Sequence, residues 1–393
     1  MTVSHSGRRD FVVINRSFWP VYPVIGEALL RLSEDLAANH RVAVIMQDHV
    51  GIRAKLAAEN RGKNVEFFPG KAWSDSASGI LVRALDALYF MFWVACSLLR
   101  SRPRTVYVST DPPVIAPFVA MIYAKLFRAR LVYHLQDIHP EAANVVMKVN
   151  PVLFRLLRWM DVLTMRKADV IITITDEMAA EIRRRSDTAR PIHVVSNPAV
   201  SFEHVSQHAE KIKGFSFCGN LGRLQRIPLL LDAITRYLDG GGRMKFGFAG
   251  GGIHAPAIAE LANRYDAVDY LGQVSAARAA ELIYDYQWAL LPIEDEVTRY
   301  AFPSKSSSYV FSDAAVLAIC SGTTSVAQWT VGNRLGVVSD PDVEALISTF
   351  FKIESGDIDV SDYVGDRSEL KAQLKFDHFL DRLQAIVPLQ ETS

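Results

Sequence analysis

The sequence predicts an α/β protein with two doubly wound domains, each a parallel sheet covered by helices on both faces. Short runs rich in β-branched residues alternate with longer segments whose apolar residues recur at helical spacing, an order typical of parallel sheets. The runs are continuously apolar, as expected of strands that are buried on both faces. The pattern restarts after Asn197-Pro198, which predicts a second sheet.

Six strands are predicted in the first half of the chain. Helical segments cover residues 26–40 and 176–186, and Thr175 or Asp176 is a suitable N-cap for the second of them. The strands are FVVIN (11–15), RVAVIM (41–46), TVYVST (105–110), RLVYHL (130–135), DVIITIT (169–175) and PIHVVS (191–196).

Six more strands are predicted in the second half. Helical segments at residues 228–238, 255–265 and 277–286 separate the first four of them. The strands are FSFCGN (215–220), MKFGFAGG (244–251), VDYLGQ (268–273), WALLPI (288–293), AVLAIC (315–320) and LGVVS (335–339). The predicted domains are residues 1–197 and 198–375, followed by an amphipathic helix at 376–393 that could cross back onto the first domain.

Composition restricts the class of protein. Half of the residues are hydrophobic and 22% are charged, as in folded globular proteins. Cys96, Cys218 and Cys320 are widely spaced and suggest neither a disulfide framework nor a metal cluster, which indicates a reducing compartment. The first 20 residues contain no long apolar run, which argues against a secretory signal. The expected location is the cytoplasm.

Charge and hydropathy raise the question of a membrane partner. Residues 1–200 contain 26 Lys and Arg against 18 Asp and Glu, and the remainder contains 17 against 25. The basic half could favour an anionic membrane surface, such as the inner face of the plasma membrane, or a phosphate-bearing ligand; two unequal solvated surfaces are the simpler alternative. The most apolar window, residues 87–99, is shorter than the roughly 18 residues that span a bilayer. It predicts a buried helix, with a membrane-surface element as the alternative.

Ligands bind outside the carboxyl ends of the strands in open parallel sheets, so the loops there are candidate sites. In CGNLGRLQR (218–226) the glycines permit a tight turn, and Arg223 can bind an anion beside free helix amides. An ordinary turn with surface arginines is the alternative. FAGGG (248–252) is a similar turn, and LGQVS (271–275) is a less specific one.

The segment FPSKSSSYVFSD (302–313) places one lysine among small hydroxyl residues. Ser304 is a suitable N-cap for a helix that runs through Tyr309. Lys305 then lies in the first helical turn, where the helix dipole disfavours a cation. A bound anion would explain this lysine, and a solvated side chain is the alternative.

The first half offers three strand-end loops of its own. In YHLQDIHPEAA (133–143), His134 could place a polar group at the mouth of a cleft, although buried, hydrogen-bonded histidines are common. The residues His134, Asp137, His139 and Glu141 fit a metal site poorly, because they are predicted on a strand and a loop and provide no i, i+4 pair on a helix. The other two loops are FWPVYPVIGEA (18–28), where Gly26 opens a helix, and STDPP (109–113).

Together these segments resemble the retaining GT-B glycosyltransferases of the group-1, family-4 kind, especially the bacterial branch that builds exopolysaccharide, capsule and O-antigen. The resemblance extends over nearly the whole chain up to about residue 350. The matching segments, in the family's order, are FWPVYPVIGEA, STDPP, VYHLQDIHPE, SNP (196–198), CGNLGRLQ, FAGGG, LGQVS and FPSKSSSY.

The resemblance implies a retaining, metal-independent transfer of a hexose from a UDP- or GDP-sugar to a lipid-linked saccharide. It implies that the second domain holds the donor and the first holds the acceptor, with no cofactor and no nucleic-acid partner. The residues implied at the reaction centre are His134, Arg223 and Lys305. Those implied around the nucleotide sugar are Gly26, Gly222, Gln225, Gly250, Gly252, Val274, Ser304, Ser308 and Asp313, with Asp137 and Glu141 on the acceptor side.

The chain departs from the family at more than one position, including the turn before the strand at 315–320, where SDAA (312–315) replaces the usual small-glycine-proline sequence. A ribose-binding glutamate is expected where Ser308 stands, and the glutamate that should precede it is not clear, because Glu294 and Glu296 lie in a rearranged loop. Ser308 or Asp313 could take over the ribose contact, or nucleotide affinity is lower, or activity is lost. The alternatives are a noncatalytic nucleotide-sugar-binding or scaffold protein of a polysaccharide complex, and a sugar-nucleotide epimerase on the same fold. An epimerase needs carboxylates and a histidine in the second domain that the sequence does not reveal.

Overall fold

The chain folds into two parallel sheets, one of seven strands and one of six. The structure, a computed structural model, describes residues 8–22, 24–74, 80–199, 202, 205, 210–387 and 389. Residues 1–196 and 376–393 form one unit, here called unit 1, and residues 197–375 form unit 2.

Unit 1 is built on the seven-stranded sheet. Its strands are β1 Phe11–Ile14, β2 Val42–Asp48, β3 Val65–Lys71, β4 Thr105–Ser109, β5 Arg130–Leu135, β6 Val170–Thr173 and β7 Ile192–Val194. They pair in parallel in the order β3-β2-β1-β4-β5-β6-β7. The chain reverses its direction of travel across the sheet between β3 and β4, as in doubly wound folds.

Helices surround this sheet. They are α1 Ile25–Leu36, α2 Ile52–Ala58, α3 Ile80–Ser101, α4 Ile115–Phe127, α5 Glu141–Val146, α6 Pro151–Lys167, α7 Asp176–Ser186 and, from the end of the chain, α15 Phe376–Ile386. The last helix packs on α1, and its Phe379 and Leu383 join the core formed by Phe11 and Val44. Elsewhere in unit 1, α3 packs against α4, and α4 packs against α6.

Unit 2 repeats the architecture with six strands. They are β8 Ile212–Cys218, β9 Lys245–Ala249, β10 Val268–Tyr270, β11 Tyr286–Pro292, β12 Ala315–Ile319 and β13 Gly336–Ser339, in the order β10-β9-β8-β11-β12-β13. The helices are α8 Ile227–Asp239, α9 Ala255–Arg264, α10 Ala276–Asp285, α11 Lys305–Phe311, α12 Ser325–Gly332, α13 Val343–Ser355 and α14 Ser368–Gln373. Aromatic residues fill the core, where the rings of Phe215 and Phe246 stack 5.2 Å apart.

Each strand that the sequence predicts is present, and so are both doubly wound sheets. The N-cap predicted for α7 is confirmed, because the Thr175 side chain accepts a hydrogen bond from the backbone nitrogen of Met178. The prediction missed β3, an edge strand that contains Pro69 and Gly70. Both residues are rare in strand interiors, and an edge position tolerates them because one side of the strand needs no ladder hydrogen bonds.

The apolar window at residues 87–99 lies in α3, and the prediction that this helix is buried holds for one face only. Phe90 and Val94 are fully buried, whereas Leu88 and Phe92 are exposed on the opposite face. Among the described residues, no helix combines the length and the hydropathy needed to cross a bilayer.

Candidate active site

The carboxyl ends of β8 and β9 in unit 2 are held together by their loops. Gly219 donates from its backbone nitrogen to the carbonyl oxygen of Ala249 at 3.0 Å, and Leu221 donates to Gly251 at 2.8 Å. A Cβ atom added at Gly250, where φ is +131°, would lie 1.8 Å from the Gly219 carbonyl oxygen, and one at Gly252, where φ is +145°, would lie 2.5 Å from that of Leu221. These two glycines therefore permit the close approach of two strand-end loops.

The side chain of Lys305 reaches this edge of the sheet from the first turn of α11. Its Nζ atom lies 3.6 Å from the centroid of the Phe217 ring, and a Cβ atom at Gly219 would lie 3.2 Å from it. The Nζ atom is buried and has no hydrogen-bond partner among the residues that the structure describes. Burial lowers the pKa of Lys305 to about 7, against a small opposing effect of Cys218. An ammonium group in this position is a strong candidate for binding an anion.

The loop after β8 uses some of its polar side chains to hold its own shape. Gly222 donates from its backbone nitrogen to Oε1 of Gln225 at 3.2 Å, which closes the turn that begins the 3-10 helix Arg223–Gln225. Arg223 itself is exposed and makes no hydrogen bond or ion pair with the described residues. Its guanidinium group is therefore available to a ligand at this edge.

A second arginine in the same loop was not singled out from the sequence. The Nε atom of Arg226 donates to the carbonyl oxygen of Ile293 at 2.7 Å, and its guanidinium lies 3.2 Å from the carboxylate of Glu294 and 3.0 Å from that of Asp295. Arg226 thus anchors the acidic loop that follows β11. Arg226 and these partners are about 70 residues apart in the sequence. The residues around Arg226 therefore do not distinguish it from Arg223.

Helix α11 places its serines differently from the prediction. Ser304 occupies the expected N-cap position but makes no capping hydrogen bond, and it is exposed. Ser307 donates to the carbonyl oxygen of Asn197 at 2.7 Å. Ser308 is buried and stands three residues after Lys305, which puts both on one helix face.

Asp313, which the resemblance implies beside the nucleotide, lies away from Lys305 in the fold. Asp313 follows the carboxyl end of α11 and comes shortly before the first residue of β12, so it lies at the opposite edge of the sheet from Lys305. Its carboxylate pairs with Lys371 at 2.7 Å. Val274, in contrast, packs with Cys218 on the cluster of Ala249, Leu282 and Tyr286, beneath the β8 and β9 loops.

In unit 1, His134 is fully buried near the carboxyl end of β5. Its Nδ1 atom is hydrogen-bonded to the Tyr107 hydroxyl group, and its Nε2 atom lies 2.8 Å from Nε2 of Gln136. Burial lowers the pKa of His134 to about 3, so the ring is neutral at physiological pH. Both ring nitrogens are engaged within the unit, which is the buried arrangement that the sequence left open as an alternative.

Two residues beyond the strand, Asp137 lies near the loop that follows β4. Its backbone nitrogen donates to the Thr110 hydroxyl at 3.4 Å. Burial raises the pKa of Asp137 to about 6. Burial, followed by the charges of Asp137 and Asp111, also raises the pKa of Tyr22 to about 12. The carboxyl groups of Asp137 and Asp111 and the hydroxyl group of Tyr22 therefore lie close together at this edge of the sheet.

Gly26 also lies in this part of unit 1, in the first turn of α1. A Cβ atom there would lie 2.6 Å from the backbone nitrogen of Trp19. The glycine is explained by the packing of α1 against the loop that precedes it, a constraint that the sequence did not reveal.

Glu141, predicted on the acceptor side, belongs to a cluster of charges around Arg185. The Arg185 guanidinium lies 3.2 Å from the Glu141 carboxylate and 2.9 Å from that of Asp161, and it donates to the carbonyl oxygen of His139 at 2.7 Å. Glu141 also pairs with Arg158 at 3.3 Å. The cluster fixes the loop after β5. In the described part of the chain, no three His, Cys, Asp or Glu side chains are arranged to hold a metal ion.

A buried polar network that the sequence did not indicate connects three strand ends of unit 1. Asp86 of α3 is fully buried, lies 2.8 Å from the Arg16 guanidinium and accepts from Gln47 at 2.8 Å and from both the backbone and the hydroxyl group of Ser74. Burial opposes ionisation, but hydrogen bonds from Ser74 and Gln47 leave the pKa of Asp86 below its usual value. These residues are far apart in the chain, so no motif records them.

Comparisons with known proteins agree with this fold. Residues 25–198 match the family described as the glycosyl transferase 4-like domain. The probable glycosyltransferase WbjE of Pseudomonas aeruginosa is 26% identical over 258 residues, which cover 61% of this chain and 64% of WbjE. The chain thus spans somewhat less than two thirds of that relative's length.

Two solved structures resemble the whole chain. The crystal structure of HepE from Anabaena, in complex with UDP, superimposes with a TM-score of 0.64 over 96% of this chain and 98% of HepE, at 13% identity. That of WaaG, a glycosyltransferase involved in lipopolysaccharide biosynthesis, has a TM-score of 0.66 over 96% of this chain and 99% of WaaG, at 12% identity. The resemblance inferred from the sequence is confirmed for the fold: this chain has the GT-B fold, and its residues 25–198 match the glycosyl transferase 4-like domain.

Proposed function

We propose that this protein is a glycosyltransferase that moves a hexose from a UDP- or GDP-sugar to a lipid-linked saccharide in the synthesis of exopolysaccharide, capsule or O-antigen. The observation that carries the proposal is the buried Nζ atom of Lys305 at the carboxyl edge of the unit 2 sheet, for which the described part of the chain supplies no hydrogen-bond partner. Two proteins of similar fold also support the proposal, because WaaG is involved in lipopolysaccharide biosynthesis and HepE was crystallised with UDP.

Electrostatics explains why a diphosphate suits this position. A pKa near 7 in place of 10.5 means that the surroundings disfavour the charged form of Lys305 by about 5 kcal/mol. An anion beside Nζ would restore the charge and supply the missing hydrogen-bond acceptor. The diphosphate of a nucleotide sugar is negatively charged near neutral pH, so it would recover much of that free energy.

The same groups would act on the reaction. Breaking the bond between the anomeric carbon and the diphosphate builds negative charge on the leaving group, and fixed cations stabilise that charge as it develops. We assign this role to Lys305 and Arg223 without a metal ion. Gly222 and Gln225 would shape the loop that presents Arg223. No protein nucleophile is assigned, and the leaving phosphate is proposed to help deprotonate the acceptor hydroxyl on the face where it departs, with retention of configuration.

The remaining donor contacts are assigned by position. Gly250 and Gly252 would let the base and ribose approach the backbone of the β9 loop. Val274 would provide the apolar wall beneath them, and Ser308, on the same helix face as Lys305, would bind the ribose hydroxyls in place of a glutamate. Ser304 would contact the phosphates from the start of α11.

Unit 1 is proposed to bind the acceptor. Asp137, with its pKa near 6, would accept a hydrogen bond from an acceptor hydroxyl at the edge of its sheet. His134 is buried and has both nitrogens engaged, so we assign it the role of holding Gln136 in place. Glu141 would act only through the Arg185 cluster, and Gly26 would set the path of the backbone before α1.

Transfer and hydrolysis assays test the proposal. Purified protein is incubated with UDP-, GDP-, ADP- and dTDP-sugars, with and without membrane lipid extract, and both sugar incorporation and nucleotide release are measured. We expect transfer, or slow hydrolysis without acceptor, with a UDP- or GDP-sugar. Binding without either reaction would support a noncatalytic nucleotide-sugar-binding protein, an alternative that the serine at position 308 keeps open. A change of the sugar's configuration without transfer would indicate an epimerase.

A thermal-shift panel of the same nucleotides identifies the base first. A ligand that binds the folded state stabilises it by mass action, so the preferred donor should raise the melting temperature most. Equal shifts for all nucleotides would mean that the base is not recognised.

A further inference from the structure

Three neighbouring helices of unit 1 expose a row of large apolar side chains. On α3 these recur at helical spacing, so that one face of the helix is apolar and exposed along most of its length. Phe92 is 65% exposed on α3, Leu126 is 72% exposed on α4, and Val152 is 74% exposed on α6. The face formed by the exposed sides of α3, α4 and α6 is here called the apolar face.

The helices that form the apolar face adjoin one another. The three helices pack side by side, and the ring of Phe118 on α4 lies 5.9 Å from that of Trp159 on α6. Leu85, Leu156 and Trp159 are exposed as well. Isolated exposed apolar residues are common, but a contiguous patch on one side of a protein marks an interaction surface.

Most other helices of unit 1 lack this feature, and α5 carries one such residue, Val146. Among the described residues, none of the exposed large hydrophobic side chains lies on α1, α2 or α15. The apolar face is therefore local to α3, α4 and α6 rather than a general property of the unit.

The charges on the apolar face are all of one sign. The acidic residues of these helices, Asp86 and Asp161, are fully buried in the networks described above. Among the charged side chains that the structure describes on α3, α4 and α6, every exposed one is cationic. They are Arg100, Lys125, Arg155, Arg158, Arg166 and Lys167.

We infer that the apolar face docks on an anionic lipid bilayer and lies in its interface. Helices that lie in the membrane interface carry exposed Trp, Phe and Leu flanked by Lys and Arg. The anionic headgroups of the lipids complement these cations. A second copy of the chain fits less well, because a two-fold contact would bring this face against itself and oppose like charges. The inference does not depend on the transferase activity.

Vesicle sedimentation tests the inference. We expect the full chain to bind vesicles that contain phosphatidylglycerol and to bind phosphatidylcholine vesicles much more weakly. Replacing one apolar residue on each helix, in the variant Phe92→Ser, Leu126→Ser, Val152→Ser, should reduce binding at least tenfold. Lys125→Gln with Arg155→Gln should reduce it roughly fivefold for each charge removed. The matched control Val331→Ser with Val364→Ser, exposed apolar residues of unit 2, should bind as the unchanged protein does.

A second readout locates the contact even if a variant folds poorly. Brominated lipids quench tryptophan at the depth of the acyl chains, and Trp159 should account for a quenched fraction of the fluorescence that disappears in Trp159→Phe. Failure of the unchanged protein to bind anionic vesicles, or quenching that Trp159→Phe leaves unaltered, would overturn the inference. So would a dimer in solution that only the apolar variant dissociates, since the face would then bind a second copy.

Discussion

The Nζ atom of Lys305 lies 3.6 Å above the centroid of the buried Phe217 ring. A cation over an aromatic face is stabilised by roughly 1–2 kcal/mol, which recovers only part of the cost of its burial. The ring covers one side of the ammonium group and supplies no hydrogen-bond acceptor. The geometry therefore leaves Lys305 poised between a neutral amine and a cation that needs an anion.

The pH dependence of stability should reveal this state. With a pKa near 7 in the folded protein and 10.5 when unfolded, Lys305 binds fewer protons in the folded state between those values, so its contribution to the free energy of unfolding rises with pH by up to about 1.4 kcal/mol per pH unit. Lys305→Met should thus stabilise the protein most below pH 7, with the gain shrinking towards pH 10. Urea unfolding of Lys305→Met and of the unchanged protein at pH 6.5 and 8.5 measures this gain. An identical pH dependence for both proteins would contradict the buried, unpaired ammonium.

Gly250→Ala should disrupt the donor edge of unit 2. The added Cβ atom would lie 1.8 Å from the Gly219 carbonyl oxygen at a φ of +131°, so either the loops separate or the fold loses about 2–4 kcal/mol. Gly322→Ala, in another strand-end loop with nothing within 4 Å of the new atom, is the matched control and should be nearly neutral. Chemical denaturation and nucleotide titration of both variants test this, and a neutral Gly250→Ala would show that the two loops are not in contact.

Removing the central cation of the unit 1 cluster should be costly. Arg185→Met leaves the buried Asp161 without its partner at 2.9 Å and Glu141 with one partner fewer, and breaking a buried ion pair typically costs about 3–5 kcal/mol. Arg183→Met on the same helix changes an exposed arginine and should cost less than about 0.5 kcal/mol. Denaturant unfolding of the two variants measures both losses. Similar free energies of unfolding for Arg185→Met and Arg183→Met would mean that the cluster is solvated.

Transfer should survive chelation of divalent metals. If Lys305 and Arg223 supply the charge that stabilises the leaving diphosphate, kcat with the preferred donor should be unchanged in excess EDTA. Steady-state rates with and without the chelator measure this directly. A loss of rate that Mg²⁺ restores would assign part of the stabilisation to a metal ion.

The sequence predicted the fold well because buried parallel strands and amphipathic helices leave strong periodic signals. It missed β3, where Pro69 and Gly70 interrupt the strand signal at a sheet edge. It also placed the residues that follow strands, such as Lys305 and Arg223, at the correct edge of their sheet, because that edge follows from strand direction alone.

Side-chain partners could not be read in the same way. The pairing of Arg226 with Glu294, the position of Asp313 at the far edge of the sheet and the burial of His134 depend on contacts between residues distant in the chain or on the path of the backbone between them. Gly26 matched a family motif, yet its neighbours indicate a packing constraint on helix α1. Patterns of single residues do not record such contacts.

Calorimetric titration of UDP and GDP into matched lysine variants tests the central claim most directly. Lys305→Ala removes the buried ammonium group, which lacks a hydrogen-bond partner within the described ranges. Lys211→Ala removes a partly buried lysine that immediately precedes β8 and already donates to the carbonyl oxygens of Tyr284 and Ser312. We expect Lys305→Ala to weaken the preferred nucleotide by on the order of tenfold to a hundredfold and Lys211→Ala to leave its Kd unchanged in the folded protein. Equal affinity in Lys305→Ala and the unchanged protein would contradict the assignment of the diphosphate to Lys305.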